Sequence, residues 1–147
     1  MHSKKQVSSS SGNLDPTSLC DTGQISIVDV LFHSTAIDFF KKAIALDNDE
    51  STALFIEPLA HTYYLSRDFD KAQQEYERIT RLTYGRYRYG GIYAKSYYTL
   101  GKIYEQQGDK AKAVNHYEKF LSLWKNADPG ISEVEDAQKR LTGLQSQ

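Results

Sequence analysis

The side chains that could support catalysis or bind a metal are scattered along this chain of 147 residues. His33, His61 and His116 are far apart in the sequence, and no two have the spacing of metal ligands on one helix. Cys20 is the only cysteine, so no internal disulfide can form, and no organised base lies near it to make a nucleophilic thiol. We therefore expect no catalytic residue, no metal site and no cofactor, and we predict that the chain is not an enzyme.

A group of carboxylates near the C-terminus loosely resembles a cation site. Its members are Asp128, Glu133, Glu135 and Asp136. They surround the start of a predicted helix, where Ser132 could be the N-cap and acidic residues in the first turn favour the helix dipole. We interpret this group as helix capping.

One segment interleaves aromatic rings with cations, a pattern that can stack on single-stranded nucleic acid. It contains Tyr84, Arg86, Tyr87, Arg88 and Tyr89. The rings can equally pack on neighbouring helices while the arginines stay in water. The formal net charge of −1 at pH 7 gives no overall attraction to nucleic acid or anionic lipid. We favour packing of the rings and expect no nucleic-acid ligand.

The composition is that of an ordinary globular domain, with 39% apolar and 25% charged residues. No apolar run approaches the length of a membrane-spanning helix, and polar residues 8–12 occupy the place of the apolar part of a signal peptide. The single cysteine suggests a reducing compartment, so we expect the protein in the cytoplasm.

Helices must position these side chains, because apolar residues recur at helical spacing along most of the sequence. Residues 84–91 contain three glycines and are predicted to break the helical pattern. Residues 1–23 are Ser-rich and lack a helical period. We expect a flexible or poorly specified N-terminal segment over residues 1–33 and one helical domain over residues 34–147. Its helices are predicted over residues 34–46, 54–65, 70–82, 92–106 and 110–124, followed by a final helix over about 132–144.

The ends and interiors of these helices carry further signals. An apolar stretch over residues 25–32 is interpreted as a short helix that leads into the next one, for which Ser34 or Thr35 could be the N-cap. Pro58 predicts either a kink in its helix or a helix start at this position. The inward face of the 34–46 helix is predicted to consist of Ala36, Phe39, Phe40, Ala43 and Leu46.

Two parts of the chain repeat the same pattern of small and aromatic residues. Its members are Leu59, Ala60, Tyr63, Ala72 and Tyr76 in the first part, and Leu100, Gly101, Tyr104, Ala113 and Tyr117 in the second. The internal spacings agree, at one, three, nine and four residues. Small residues let two helices of a hairpin approach closely, and the rings fill the space beside them. The pattern therefore predicts two stacked helical hairpins.

This pattern resembles the tetratricopeptide repeat, in which W-x2-L-G-x2-Y is followed by A-x3-F and a proline. The resemblance extends over about residues 35–144, with two units, a half unit before them and a capping helix after them. Ile56 and Tyr97 take the tryptophan position in the first and second units, and the turn is Arg-Asp at 67–68 but Gly-Asp at 108–109. The resemblance implies an all-α fold of antiparallel helical hairpins stacked as a short right-handed superhelix.

The sequence departs from the family pattern in two ways. Ile79 and Phe120 replace a small residue late in the second helix of each unit, so we expect bulkier junctions to the following helices. The units are 41 residues apart instead of 34, and the excess lies in residues 84–91. Trp124 is expected to be buried at the junction to the final helix.

In this family the first helices of the hairpins line a concave groove that can bind a peptide or a partner helix. The corresponding positions here are Leu54, Glu57, His61, Tyr64, Lys95, Tyr98, Lys102 and Glu105. The resemblance thus implies a module that binds a protein or peptide partner, although a solvated helix face would explain these positions equally well. Glu57 and His61 stand where members that clamp a C-terminal carboxylate have Lys and Asn, which argues against that ligand.

Two other functions stay open. The half unit could pair with another copy of the chain, which would make the protein a self-associating structural piece and a homo-oligomer. Residues 93–144 also resemble the C-terminal repeat region of bacterial multidomain signalling proteins, so the chain could be a regulatory segment of a larger signalling enzyme. The sequence itself contains no Gly-rich nucleotide loop and no kinase motif.

Overall fold

Seven α-helices follow one another along the residues that the computed structural model describes, which are 27–47, 52–126 and 130–146. Their bounds are α1 (Ile27–Leu46), α2 (Thr52–Leu65), α3 (Phe69–Arg81), α4 (Thr83–Arg88), α5 (Gly90–Gln106), α6 (Lys110–Leu123) and α7 (Ser132–Gln145). None of these residues forms a β-strand, which confirms the all-α prediction. The predictions for Cys20, Asp128 and residues 1–23 concern residues outside the described part, and the domain boundary after residue 33 stays a prediction.

The two predicted hairpins, α2/α3 and α5/α6, have the same turn. In each turn the N–H of the aspartate, Asp68 or Asp109, donates to a carbonyl five residues earlier at 2.9 Å. The preceding residue adopts a left-handed backbone, with φ of 61° at Arg67 and 78° at Gly108. Glycine accepts this conformation without strain, whereas arginine has a Cβ that disfavours it. The turn geometry therefore persists in the first hairpin although its glycine is replaced.

The aspartate of each turn also starts the second helix. The Asp68 carboxylate accepts a hydrogen bond from the N–H of Lys71 at 3.3 Å, and Asp109 accepts one from the N–H of Lys112 at 3.1 Å. Such N-caps satisfy backbone donors that have no partner within the helix. Turn and cap together explain why α3 and α6 begin at equivalent positions of the two units.

The core is built from the repeated residues. All ten positions of the repeat are buried, and with Ile56, Ile79, Ile103, Phe120 and Ala137 they form most of the core. The closest approach is at Gly101, where a Cβ would lie 2.6 Å from Cε1 of Tyr117. Ile79 and Phe120 are both fully buried at the junctions, as their size predicted.

The hairpins stack so that each second helix lies between two first helices. α3 packs on α2 and α5, and α6 packs on α5 and α7. α1 packs on α2 in the same way as α3 packs on α5, so it takes the place of a second helix. The first helices α2, α5 and α7 thus form one layer, and α1, α3 and α6 form the other.

Helix α1 differs from its prediction in three respects. It is one continuous helix from Ile27, so residues 27–32 belong to it and do not form a separate short helix. Ser34 and Thr35 are not N-caps, because their hydroxyls donate to the carbonyl of Leu31 within the helix at 2.9 and 3.0 Å. The predicted inward face was wrong at two of its five positions, since Phe39 is 64% exposed and Leu46 is 83% exposed. The side chains of α1 that pack on the core are Ile37, Phe40 and Ile44.

The helical pattern is interrupted between the hairpins, at Leu82 and Tyr89, but the prediction that the break extends over residues 84–91 was wrong, because most of these residues are helical. Residues 83–88 form α4, and α5 begins one residue later, at Gly90. Tyr87 is 86% exposed and does not pack on the hairpins as we expected, while Tyr89 is half-buried. The side chain of Tyr84 lies outside the described part. Pro58 lies inside α2, which excludes a helix start at this position.

Helix α7 begins at Ser132, but this serine is not its N-cap. The N-cap is Ile131, which makes no side-chain capping hydrogen bond, and the Ser132 hydroxyl donates to Glu133 at 3.1 Å. Glu133 and Glu135 do occupy the first turn, where their charge favours the helix dipole.

Candidate functional site

The eight predicted partner-binding residues lie at helical spacing on two neighbouring first helices. Within each helix the intervals are three and four residues, so each set of four lies on one side of its helix. We call this surface the α2/α5 face, and it consists of Leu54, Glu57, His61 and Tyr64 on α2 and Lys95, Tyr98, Lys102 and Glu105 on α5.

Lys102 joins the two halves of the α2/α5 face. Its ammonium lies 5.4 Å from the ring centroid of Tyr64 on α2 and 5.4 Å from that of Tyr98 on α5. A cation over two rings is held by their negative faces. Within the described part of the chain no carboxylate is in ion-pair contact with this ammonium. The two rings therefore hold the Lys102 ammonium in place, and it can form an ion pair with an acidic group of another molecule.

The α2 half of the face is open. Leu54 is 44% exposed, His61 is exposed, and Tyr64 is half-buried. The rings of His61 and Tyr64 stack with centroids 6.4 Å apart and planes 16° apart, and Phe69 supports Tyr64 from behind at 5.6 Å. This half offers an apolar and aromatic surface to another molecule.

The α5 half is largely engaged by α7. Lys95 forms an ion pair with Glu133 at 2.6 Å, and Glu105 forms one with Arg140 at 3.0 Å. Glu105 also accepts a hydrogen bond from the hydroxyl of Tyr117 at 2.8 Å. A partner that uses Lys95 or Glu105 has to compete with contacts inside the chain.

Tyr98, Asp136 and Arg140 form a small polar network between α5 and α7. Asp136 accepts hydrogen bonds from the Tyr98 hydroxyl at 2.7 Å and from Nε of Arg140 at 2.6 Å. Partial burial raises the pKa of Asp136, but these two hydrogen bonds outweigh it and hold the pKa below its usual range. Burial, and then the hydrogen bond to Asp136, raise the pKa of Tyr98 well above its usual range. The carboxylate of Asp136 therefore stays ionised and the phenol of Tyr98 stays neutral at physiological pH.

A family model for the tetratricopeptide repeat matches residues 50–126, more than half of the chain. The chain belongs to the tetratricopeptide-repeat family. The match spans both hairpins and extends from the start of α2 past the end of α6. A search of curated proteins found no match. Tetratricopeptide repeats are typically non-catalytic modules that mediate contacts between proteins.

Sequence reasoning missed the part that α7 plays at this face of the repeat. Glu133 and Asp136 were interpreted as capping residues, yet their carboxylates contact Lys95 and Tyr98, 38 residues earlier in the chain. The sequence contained a signal for these two contacts, because the interval is three residues on both helices. It separates residues 95 and 98 on α5, and residues 133 and 136 on α7. Equal intervals on two helices allow two side-chain pairs to form at once.

The described residues of this repeat protein form neither a metal-binding group nor a membrane-spanning helix. Residues 27–47, 52–126 and 130–146 contain no group of three or more His, Cys, Asp or Glu side chains that could hold a metal ion. In the same ranges no helix is long and apolar enough to cross a membrane.

Trp124 is only half-buried, with its ring 5.6 Å from that of Phe120, and it lines a pocket of about 420 Å³ beside Arg86 and Tyr93.

Acid is expected to weaken the attachment of α7. The hydrogen bond from the Lys95 ammonium lowers the pKa of Glu133, and the pKa of Asp136 is lowered as described, so the unfolded chain binds these protons at a higher pH than the folded chain. The stabilisation is therefore complete above about pH 5 and is lost as the pH falls through the two folded-state pKa values. Chemical denaturation between pH 7 and pH 3 should show this loss.

The variant Asp136→Asn isolates this effect. It should reduce the loss of unfolding free energy between pH 7 and pH 3, because asparagine does not titrate. Glu135→Gln removes a carboxylate on the exposed side of α7 that contacts neither Lys95 nor Tyr98; it is the matched control and should change the profile less than Asp136→Asn does. Equal profiles for the wild type and Asp136→Asn would contradict the role given to this carboxylate.

Proposed function

We propose that this tetratricopeptide-repeat chain is a non-enzymatic module that binds an extended peptide or a helix of a partner protein on its α2/α5 face. The observation that carries the proposal is the position of Lys102 between the rings of Tyr64 and Tyr98. Binding sites for proteins combine an aromatic anchor with a few placed charges, and the Lys102 ammonium, which forms no ion pair with a carboxylate among the described residues, supplies the charge.

The partner's binding segment should contain an acidic side chain next to an apolar or aromatic one. The acidic group pairs with Lys102, and the apolar group packs on Tyr64, His61 and Leu54, which are the open part of the face. Lys95 and Glu105 contribute less, because α7 already holds them. The geometry thus favours a centre of binding at the α2 half of the face and Lys102, and gives the rest of the α2/α5 face a smaller part.

Binding should depend on Lys102 and Tyr64. Peptides selected from a random library on the immobilised full chain provide a ligand, and calorimetry measures its affinity. Lys102→Met is expected to weaken binding about tenfold, since it removes the charge but keeps most of the apolar stem. Tyr64→Ala is expected to have at least the same effect, because it removes an anchoring ring.

Lys112→Met is the matched control for this experiment. The Lys112 ammonium also lies over a tyrosine ring, at 5.1 Å from the centroid of Tyr104, but on the second helix α6 and away from the α2/α5 face. Its replacement should leave the affinity unchanged. If Lys102→Met and Tyr64→Ala bind the selected peptides as well as the wild type does, the α2/α5 face is not the binding site.

Two further proposals concern the larger protein to which the chain could belong and its place in the cell. The chain could be a regulatory segment of a larger signalling enzyme, as the likeness of residues 93–144 to bacterial signalling proteins suggests. Its place in the cytoplasm is proposed from the single cysteine alone. Purification of the protein from its native cells, with identification of bound proteins, tests both.

A further inference from the structure

The outer side of α1 carries most of the exposed large apolar side chains in the described part of the chain. On this helix they are Val28, Val30, Leu31, Phe32, Phe39 and Leu46. Four of these, at positions 28, 32, 39 and 46, lie with residues 35 and 42 on a single stripe about 27 Å long, because these positions recur at intervals of four and three, and Leu31 borders the stripe. This spacing is that of a seam between two helices. We call the set of Val28, Leu31, Phe32, Thr35, Phe39, Lys42 and Leu46 the α1 stripe.

Helix α1 is thus apolar on two sides. The residues that pack on the core, Ile37, Phe40 and Ile44, lie about 160° around the helix from the centre of the α1 stripe. The other second helices are covered on two sides, since α3 packs on α2 and α5, and α6 packs on α5 and α7. Only one side of α1 is covered among the described residues, by α2. The α1 stripe therefore lies where a first helix of the same unit would pack.

The rest of the described surface offers this stripe no apolar counterpart. The exposed side of α7, at the other end of the array, carries Glu135, Gln138 and Lys139, which disfavours head-to-tail stacking of copies. The remaining exposed large apolar residues, Leu54, Leu65 and Tyr87, are distributed over two helices. Residues 1–23 are Ser-rich and lack the apolar period that a covering helix needs. The surface that best complements the α1 stripe is the stripe itself.

We infer that α1 of a second copy covers the α1 stripe, so that the protein forms a symmetric dimer through this helix. A two-fold axis at right angles to the helices makes the two copies of α1 antiparallel. That is also the relation of the helices within each hairpin, so α1 of the second copy takes the position against α1 that a first helix of this unit would occupy. This dimer goes beyond the binding of a partner on the α2/α5 face and does not depend on it.

One register buries the whole stripe. If the axis lies near residue 37, Val28 faces Leu46 of the second copy, and Phe32 faces Lys42 of the second copy. The lysine stem then packs on the seam while its ammonium lies over the ring. A shift by seven residues would leave one end of the stripe uncovered. The same register brings the two Asp38 carboxylates to one side of the axis, which weakens the dimer slightly.

Sedimentation equilibrium of the full chain tests the dimer. Between about 1 and 500 µM the average mass should rise from the 16.7 kDa of one chain toward twice that value. Phe39→Glu places two charges near the axis and should raise the dissociation constant at least about 100-fold. Leu65→Glu, the same change at an exposed leucine of α2, should leave it unchanged, and Asp38→Asn should lower it about two- to fivefold.

Cysteine cross-linking tests the orientation. In a Cys20→Ser background, Thr35→Cys places a thiol on the α1 stripe about 6 Å along the helix axis from its counterpart, and a short bifunctional maleimide should give a covalent dimer. Ala45→Cys places the two thiols about 24 Å apart along an antiparallel pair, and it should not cross-link. Equal cross-linking of both variants would indicate a parallel pair and would overturn the proposed register.

A mass of one chain at every concentration would overturn the dimer itself. If that monomer is also destabilised by Phe39→Glu in thermal denaturation, the stripe is covered by the chain's own remaining residues. If Leu65→Glu abolishes the dimer and Phe39→Glu does not, the interface lies elsewhere on the molecule.

Discussion

Replacement of Phe120 by alanine is expected to lower the free energy of unfolding by about 3–5 kcal/mol. The ring is fully buried, with centroids 5.4 Å from Tyr98 and 5.6 Å from Trp124, so its removal leaves a cavity at the junction between the second hairpin and α7. The result is informative because small residues are the family's usual choice at this position. Urea denaturation followed by circular dichroism measures the change.

Lys119→Ala is the matched control for Phe120→Ala. It changes the neighbouring, exposed residue of the same helix and should alter stability by no more than about 0.5 kcal/mol. Trp124 is the only tryptophan, so its fluorescence reports on the same junction in the native state. A loss below about 1 kcal/mol for Phe120→Ala would mean that α7 closes onto α6 and fills the space.

Gly101→Ala is expected to destabilise the protein by about 1–3 kcal/mol, although alanine favours helices more than glycine does. The added Cβ would lie 2.6 Å from Cε1 and 2.8 Å from Cδ1 of Tyr117. This ring cannot move aside easily, because it is fully buried and its hydroxyl donates to Glu105 at 2.8 Å. Overpacking therefore outweighs the gain of about 1 kcal/mol in helix propensity.

Gly143→Ala makes the same change where space is open. Gly143 lies inside α7 with no atom within 4 Å of its ideal Cβ position, so the substitution should stabilise the protein by up to about 1 kcal/mol. Tyr117→Leu in combination with Gly101→Ala should recover part of the loss relative to the sum of the single changes. Additive effects in that double-mutant cycle would show that the contact between Gly101 and Tyr117 does not cause the destabilisation.

The two hairpins could be predicted from the sequence because their determinants are local. Within each unit the small residues, the rings and the turn aspartate occupy fixed intervals, and all ten repeated residues are buried as expected. The buried side of helix α1 was harder to predict, because this helix is apolar on two sides. The predicted inward face included Phe39 and Leu46 from the outer stripe together with Phe40 from the buried one. A single periodic pattern does not separate two stripes on one helix.

The candidate site was predictable only in part, for a different reason. Helical spacing places the eight residues on α2 and α5, and the structure brings Tyr64, Tyr98 and Lys102 together. The contacts from Lys95 and Glu105 to α7 join residues 35 to 38 positions apart in the chain. Such pairs depend on how successive units stack, which the pattern within one unit does not specify. Whether a partner binds this face stays a prediction.

Helix α4 has a consequence for how the array can be divided. Its six residues connect the hairpins, and the exposed Arg86 and Arg88 offer trypsin a cleavage site between the units. The cut halves would still be joined across α3 and α5 by the hydrogen bond from Tyr104 to Glu77 at 2.7 Å and by the apolar core around it. The chain is therefore suited to division into two fragments that reassemble when mixed, each carrying one complete hairpin.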